Sequence, residues 1–441
     1  MIEAAQFVEA ARARGFSRYA GVPCSYLTPF INYVIQDASL DYVSAANEGD
    51  AVAISAGVAL AGGRAVTMMQ NSGLGNAVSP LTSLTWTFEL PQLLIITWRG
   101  EPGVADEPQH ALMGPITPAM LDTMDVAWEI FPTQPDAIDA ALERACAHMA
   151  RTGRPYALLM RKGSVAPFKL AGSGAPVPRP ACVLYAPAKE SADAAATAQT
   201  RAHATGAPGT PDSRGAPGAP RARAERPNRT DALARVIAHT PVGDTVVLAT
   251  TGFAGRELYA LDDRANQLYM VGSMGCVATL ALGLARARPD LQVVAVDGDG
   301  AALMRMGLFA TLGAYGPSNL LHLVLDNGVH DSTGGQATVS AGVSFAHVAA
   351  ACGYAWAVEG DSLDVIDAAF AAQPVPGAAR AESAVAAPAG TVAETAAGAA
   401  EPLIGTRFAC LRTRPGSPAD LPRPSVTPVQ VRQRLQAHIA R

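Results

Sequence analysis

Aromatic side chains are scarce in this sequence: Phe, Trp and Tyr together make up 6% of its 441 residues, although 49% of the residues are apolar. Small and branched aliphatic side chains must therefore fill the interior, which suits the layers of an α/β fold. A chain of this length also exceeds one ordinary hydrophobic core. We therefore expect two domains.

The sequence also lacks basic clusters, paired cysteines and long apolar runs. A net charge of −5 without a basic cluster argues against a nucleic-acid-binding surface. The six cysteines are scattered and none forms a Cys-x-x-Cys spacing, so neither a zinc site nor a disulfide framework is indicated. No apolar stretch approaches a membrane span, and the first residues indicate an amphipathic helix rather than a signal peptide. These features predict a soluble, cytoplasmic protein.

Strand patterns alternate with helical patterns in two regions, residues 1–168 and 229–441. This alternation predicts an α/β fold with two doubly wound parallel-sheet domains. The predicted strands of the first region are a short strand and turn at residues 18–23, then 42–45, 65–69, 93–97 and 157–160. Those of the second region are 245–249, 267–271, 292–297, 320–325, 355–358 and 407–411.

Two segments have a different composition. Residues 169–228 are dominated by Ala, Pro and Gly, and such a segment buries too little apolar surface to offset the entropy of ordering it. We predict a disordered linker there. A second Ala/Pro-rich tract, about 374–402, is predicted to be a low-complexity surface insertion.

Polar clusters follow two predicted strands of the second region. Gly298, Asp299 and Gly300 come directly after one strand, and Asn327 follows the next, 28 positions after Asp299. The carboxyl ends of parallel strands share one edge of a sheet, where α/β folds bind ligands. Glycines allow a bulky anion to approach, and carboxylate and amide oxygens suit Mg²⁺. The sequence therefore predicts a metal held against phosphate groups.

Candidate residues also follow strands in the first region. Glu48 opens an apolar helix, where an acid also has a simple structural explanation because it stabilises the positive end of the helix dipole. Asn71 begins a glycine-containing turn and is a candidate substrate contact. The alternative is that this turn has only a structural role. His110 lies on a proline-containing loop, where most histidines are simply exposed. Arg161 and Lys162 end a strand as a candidate anion-binding pair or a solvated strand end.

Several segments together resemble one family. The spacing from Gly298-Asp299-Gly300 to Asn327 is similar to the thiamine-diphosphate fingerprint, and both structured regions carry further matching residues. These are 21–30, 47–49, 106–110, 272–275 and 330–336. The chain resembles the thiamine-diphosphate-dependent 2-oxoacid decarboxylases, and specifically those that act on 3-phosphonopyruvate. The linker and the Ala-rich insertion are not covered by this resemblance.

The resemblance implies roles for individual residues. Asp299, Asn327 and the backbone oxygen of Val329 would hold Mg²⁺, and Glu48 would activate the cofactor through its aminopyrimidine ring. Met274 would support the bent cofactor. The other implied cofactor contacts are Thr251, Gly252, Gly272, Ser273, Gly298 and Gly300. Cys276 stands where many relatives are expected to have histidine, which weakens a diphosphate contact at that position.

The resemblance also implies a reaction and an assembly. The expected activity is decarboxylation of 3-phosphonopyruvate to phosphonoacetaldehyde and CO2 in phosphonate biosynthesis, with Glu48 and His110 as catalytic candidates. Substrate-binding candidates are Ser25, Asn71, His110, Arg161 and Lys162. A homodimer or higher homo-oligomer is expected, with Glu48 of one chain facing Asp299 and Asn327 of another. The alternatives are a 3-sulfopyruvate decarboxylase or a noncatalytic thiamine-diphosphate-binding protein.

Overall fold

A computed structural model describes residues 1–171, 182–185, 226–372 and 405–440. Most of the predicted linker, 169–228, and the whole predicted insertion, 374–402, lie outside these residues. Besides the two ends of the predicted linker, residues 182–185 are described, and they include a strand, Val183–Tyr185. None of the described helices is long and apolar enough to cross a membrane.

The first half alternates strands and helices from its start. Its strands are β1 (Phe16–Gly21), β2 (Asp41–Ser44), β3 (Arg64–Gln70), β4 (Leu93–Thr97), β5 (Ala127–Ile130) and β6 (Tyr156–Met160). Its helices are α1 (Ala4–Arg12), α2 (Thr28–Gln36), α3 (Glu48–Leu60), α4 (Leu74–Pro80), α5 (Trp86–Phe88), α6 (Met113–Thr123) and α7 (Pro135–Thr152), with a π-helical segment, Leu81–Thr85, between α4 and α5.

These strands form one parallel sheet in the order β2-β1-β3-β4-β6-β5. β3, β4 and β6 are almost entirely buried, as expected for strands covered by helices on both faces. The sequence did not predict β5. Its four residues are all half-buried at the sheet edge, so they show neither an alternating pattern nor a fully apolar run.

The second half has the same type of architecture. Its strands are β7 (Val183–Tyr185), β8 (Thr245–Ala249), β9 (Gln267–Tyr269), β10 (Gln292–Gly298), β11 (Leu320–Asp326), β12 (Val329–His330), β13 (Gln336–Ala337), β14 (Trp356–Gly360) and β15 (Arg407–Arg412). Its helices are α8 (Arg229–His239), α9 (Phe253–Leu261), α10 (Val277–Ala287), α11 (Asp299–Met304), α12 (Gly307–Tyr315), α13 (Phe345–Cys352), α14 (Asp364–Ala371) and α15 (Pro428–Ile439).

Seven of these strands form a parallel sheet in the order β7-β14-β15-β11-β10-β8-β9, and β12 and β13 form a separate antiparallel pair. β7, from the predicted linker, pairs with β14 at the edge. The two parallel sheets confirm the predicted fold class. Every strand predicted from the sequence is present, with small shifts at its ends.

The two halves meet along helices α3 and α10. Apart from Glu48, every residue of α3 is buried, which is why its sequence has no polar face. A Cβ added at Gly57 of α3 would clash with the Leu280 carbonyl oxygen, and one added at Gly283 of α10 would clash with that of Ile54. Facing glycines thus let the two backbones approach closely. This packing directs the first turn of α3 toward the second sheet.

Candidate active site

The glycine and polar clusters of the second half lie at one edge of its sheet. β10 and β11 are parallel neighbours with Gly298 paired to Leu325, so Asp299 and Asn327 follow adjacent strand ends. Asp299 is 3% exposed and Asn327 is 8% exposed. A Cβ added at Gly298 would meet no atom within 4 Å, so there is open space beside the backbone. The structure thus brings the predicted metal and phosphate residues together.

A second carboxylate, Asp326, belongs to the same edge. Ser340 Oγ donates a hydrogen bond to Asp326 Oδ1 at 2.8 Å, and Thr338 Oγ1 donates to Asp299 Oδ2 and lies 3.0 Å from Ser340 Oγ. Burial, and next the negative charge of Asp299, raise the pKa of Asp326. Because a cation would relieve the repulsion between these two buried carboxylates, this donor set fits Mg²⁺.

The amide of Asn327 has a fixed orientation. Its Nδ2 donates to Asp331 Oδ2 at 2.7 Å, and its Oδ1 accepts from the Val329 N–H at 3.1 Å. Asp331 is in turn held by the Arg229 guanidinium and by the Gly416 N–H at 3.2 Å. Among the described residues no three His, Cys, Asp or Glu side chains form a metal site, so a metal here depends on amide and carbonyl oxygens.

The predicted cofactor contacts surround this edge. A Cβ added at Gly300 would lie 3.3 Å from Met274 Cε and still closer to the His330 ring, so both side chains border Gly300. Thr251 and Gly252 lie in the turn between β8 and α9, where Gly252 has a φ of +94° that favours glycine.

Gly272 and Ser273 contact the first half of the chain. Ser273 has a positive φ of 52°, its N–H donates to Ser83 Oγ at 2.9 Å, and its Oγ donates to the Ser79 carbonyl oxygen at 3.1 Å. A Cβ added at Gly272 would lie 2.7 Å from Ser83 Cβ. The loop before α10 is therefore held against the segment that follows β3.

Glu48 begins α3 and is held from both sides. Asn47 caps the helix, because its Oδ1 accepts from the Gly49 N–H at 2.9 Å. Asn76 Nδ2 donates to Glu48 Oε2 at 2.8 Å. Gly73 packs directly on Glu48, since an added Cβ at that position would overlap the glutamate side chain. The carboxyl group is thereby fixed at the carboxyl ends of the first sheet.

Arg305, just after α11, connects this region to the second half. Its Nη1 donates to Asn47 Oδ1 at 2.8 Å and to Asp50 Oδ1 at 3.2 Å. Asp50 is 1% exposed, and burial raises its pKa to about 6 despite the opposing effect of Arg305.

The expectation that Glu48 faces Asp299 and Asn327 of another chain stays a prediction, because the structure describes one chain. Within this chain, the α3–α10 packing and the Arg305 contacts join the first turn of α3 to the second half.

The substrate-binding candidates differ in their surroundings. Ser25 is exposed. His110 is 4% exposed, and its Nδ1 has no hydrogen-bond partner among the described residues. Arg161 forms an ion pair with Glu101 at 2.8 Å, and Lys162 is exposed. Asn71 is fully buried, which removes it from direct contact with a bound molecule in this conformation.

Comparisons with known proteins agree with this architecture. Residues 3–124 match the family model described as "Thiamine pyrophosphate enzyme, N-terminal TPP binding domain", and residues 252–388 match "Thiamine pyrophosphate enzyme, C-terminal TPP binding domain". A phosphonopyruvate decarboxylase from Streptomyces viridochromogenes is 42% identical over 439 residues, covering 100% of this chain and 95% of that protein. The chain belongs to the phosphonopyruvate decarboxylase family of thiamine pyrophosphate enzymes.

More distant proteins share parts of this pattern. A sulfopyruvate decarboxylase from Methanosarcina acetivorans is 27% identical over 332 residues, covering 75% of this chain and 77% of that protein. The solved structure of a thiamine diphosphate-dependent 4-hydroxybenzoylformate decarboxylase from Rhodococcus jostii RHA1 has a TM-score of 0.60 at 15% identity, covering 94% of this chain and 99% of that one. The second likeness concerns the fold alone.

Three residues that the structure brings to the site had no role predicted from the sequence: Arg305, Asp331 and Arg99. Arg99 follows β4 at the same sheet edge as Ser25, so the rule that identified the other strand-end residues would have found it. Arg305 lies in a helical stretch and reaches the site only through the docking of the two halves, which has no local sequence signal.

Proposed function

We propose that this chain decarboxylates 3-phosphonopyruvate to phosphonoacetaldehyde and CO2, with thiamine diphosphate and Mg²⁺ bound, as a step of phosphonate biosynthesis. One observation carries this proposal: the 42% identity to a phosphonopyruvate decarboxylase extends over the whole chain. The contact of Arg305 with the residue that caps the Glu48 helix supports it, and so does the Asp299 edge, because that edge offers the oxygens a metal-bound diphosphate needs.

The second half binds and orients the cofactor. Asp299, Asn327 and the Val329 carbonyl oxygen would hold Mg²⁺, while the backbone at Gly298 leaves room for the diphosphate. Asp331 keeps the Asn327 amide in one orientation. When bound, thiamine diphosphate supplies the electron sink that a departing carboxylate requires.

The first half supplies the proton-transfer group. Glu48 presents its carboxyl group at the end of the first sheet, where Asn76 hydrogen-bonds one oxygen and leaves the other available to hold a proton against the cofactor ring. His110, with its free Nδ1, is a second candidate for moving a proton. The buried residues of α3 exclude water from one side of the Glu48 carboxyl group.

Steady-state decarboxylation tests the proposed function directly. Purified protein with thiamine diphosphate and Mg²⁺ is incubated with 3-phosphonopyruvate and with 3-sulfopyruvate in parallel, and CO2 release is measured. We expect a clear preference for 3-phosphonopyruvate. A preference for 3-sulfopyruvate would favour the alternative that the relative from Methanosarcina acetivorans suggests. No release from either substrate would favour a noncatalytic thiamine-diphosphate-binding protein.

The chain is also proposed to form a homo-oligomer in the cytoplasm. The active sites are proposed to form between subunits, with Glu48 of one chain facing Asp299 and Asn327 of another. Light scattering after size-exclusion chromatography measures the number of subunits, and a monomer at working concentration would contradict the assembly.

A further inference from the structure

We propose that Arg99 recognises the phosphonate group of the substrate and so determines which 2-oxoacids the site accepts. This inference rests on the proposed function and adds the residue that binds the phosphonate group. A dianionic tail requires cationic donors at the substrate end of the cleft, and Arg suits phosphonate oxygens because its planar fork matches their geometry.

Arg99 lies where the substrate end of the site is expected. It follows β4, whose neighbours in the sheet are β3 and β6. The end of β3 leads through Asn71 to Gly73, which packs on Glu48. The guanidinium of Arg99 therefore shares the carboxyl-terminal edge of the first sheet with the proton-transfer group.

The main chain of Arg99 is held by a buried amide. Asn71 Nδ2 donates to the Arg99 carbonyl oxygen at 2.8 Å and to Thr117 Oγ1 at 2.9 Å, and the Arg99 N–H donates to Asn71 Oδ1 at 3.3 Å. Asn71, predicted from the sequence as a substrate contact, is thus engaged in positioning Arg99.

Asp106 holds one edge of the Arg99 guanidinium. Nε donates to Asp106 Oδ2 at 2.8 Å and Nη2 donates to Asp106 Oδ1 at 2.5 Å, so the carboxylate binds in bidentate fashion. The Tyr26 ring centroid lies 4.8 Å from the guanidinium carbon. The Arg99 side chain is 15% exposed. A clamped arginine loses little rotamer entropy when a ligand binds.

The opposite side of the guanidinium retains donors. Of the five N–H groups of an arginine, Asp106 takes two and Ser25 Oγ takes one, from Nη1 at 3.3 Å. Among the described residues, one N–H on each terminal nitrogen has no partner. The exposed Ser25 hydroxyl accepts from Arg99 and keeps its own proton for donation. Together they offer three donors to an anion.

The other cations near this edge are less suited to the role. Arg161 is 49% exposed and turned to Glu101, and Lys162 is exposed on the same strand end. Exposed cations are screened by salt and lose side-chain entropy on binding. Arg305 already donates to Asn47 and Asp50. Of these cations, Arg99 is the one that is partly buried, held in position by its contacts and still able to donate to a ligand.

The test compares two charge-neutral pair deletions, R99M/D106N and R161M/E101Q. Each removes an arginine with its carboxylate partner, so the net charge stays constant. Isothermal titration measures the binding of 3-phosphonopropanoate, a keto-free analogue, to protein loaded with thiamine diphosphate and Mg²⁺. Binding of thiamine diphosphate itself and kcat/KM for 3-phosphonopyruvate are measured in the same variants. R144M, which breaks the distant Arg144–Glu129 pair, is the control.

For R99M/D106N we expect a loss of about tenfold to a hundredfold in both 3-phosphonopropanoate affinity and kcat/KM, with thiamine diphosphate affinity kept within about threefold. R144M should match wild type. The inference is overturned if R99M/D106N binds the analogue normally, if R161M/E101Q loses more, or if thiamine diphosphate affinity falls in parallel.

The remaining outcomes separate this inference from the proposed function. If wild type releases no CO2 from 3-phosphonopyruvate but binds the analogue through Arg99, the function fails and the anion site stands. If wild type does not bind the analogue, the anion site fails. Should R99M/D106N not fold, binding of the analogue is measured with R99K instead, because a lysine cannot contact Asp106 in bidentate fashion and also reach the ligand. A tenfold loss supports the site, and wild-type binding overturns it.

Discussion

Arg305 donates a hydrogen bond to the side chain of Asn47, the residue that caps the helix beginning with Glu48. The donor belongs to the half with the metal edge, and the acceptor to the half with the proton-transfer group. The same arginine contacts the buried Asp50. One guanidinium therefore contributes both to the docking of the two halves and to the cap of the helix that begins with Glu48.

Replacing Arg305 by Met should impair both stability and catalysis. Breaking the buried contact with Asp50 should lower the free energy of unfolding by about 3 kcal/mol, and loss of the Asn47 contact should lower kcat more than it raises KM. R305K should recover part of the stability but little of kcat, because lysine cannot contact both residues. Equal recovery of both quantities would argue against an orienting role.

Replacing Glu48 by Gln should leave the fold intact and reduce turnover severely. The amide keeps the size of the side chain but cannot exchange a proton, and loss of such a group typically costs about 10² to 10⁴ in rate. Circular dichroism and single-turnover CO2 release measure the two effects separately. Wild-type turnover in E48Q would remove Glu48 from the mechanism.

Mixing two inactive variants should restore part of the activity. One chain carries E48Q and the other D299N, and they are refolded together. If each chain completed its own site, every site in the mixture would keep one defect. A site shared between two chains would instead make roughly a quarter of all sites intact in randomly paired dimers. CO2 release from the mixture, compared with the separate variants, distinguishes the two arrangements.

Asp50 should make folding less favourable as the pH rises. Its pKa in the folded protein is raised to about 6, so the folded state holds the proton more tightly than the unfolded state does. Stability from this group is therefore greatest below about pH 4 and is lost between about pH 4 and 6, by at most about 3 kcal/mol.

Urea unfolding across this pH range measures the effect. The difference between wild type and D50N should change between about pH 4 and 6, whereas D136N, on the exposed first turn of α7, should follow wild type. A difference between wild type and D50N that does not vary with pH would contradict the assignment.

Replacing Asp331 by Ala should weaken metal binding. The Asn327 amide would lose the acceptor that fixes its orientation, and partners of this kind typically contribute about tenfold to a hundredfold in metal affinity. Titration with Mg²⁺, or with Mn²⁺ followed by electron paramagnetic resonance, measures the affinity. D290A, in the exposed Arg288–Asp290 pair, should bind metal as wild type does. Unchanged affinity in D331A would show that Asn327 needs no such support.

The fold could be predicted because its signals are local. Buried strands such as β10 and β11 appear as short apolar runs, and the polar residues after them give Asp299 and Asn327 without knowledge of the structure. Val183–Tyr185 could not be predicted, since three residues inside an Ala/Pro-rich segment become a strand only by pairing with β14. Tertiary pairing overrides local composition there.

The site was only partly predictable, because some of its contacts are distant in sequence. Glu48 was identified at a strand end, but the arginine that orients its helix is far away along the chain. Asn71 has the residue type of a ligand contact, yet its side chain is fully buried around Arg99. Residue type and strand position indicate which side chains lie at the edge of a sheet. Burial decides which of these side chains remain available to bind a ligand.

The contact between Asn47 and Arg305 joins residues 258 positions apart. A chain emerging from the ribosome folds its N-terminal unit first, so Glu48 is in place long before its partner has been synthesised. During that interval the facing surface of α3, with Gly57 at its centre, is uncovered apolar surface. The nascent first half therefore requires protection from aggregation until α10 is made and covers it.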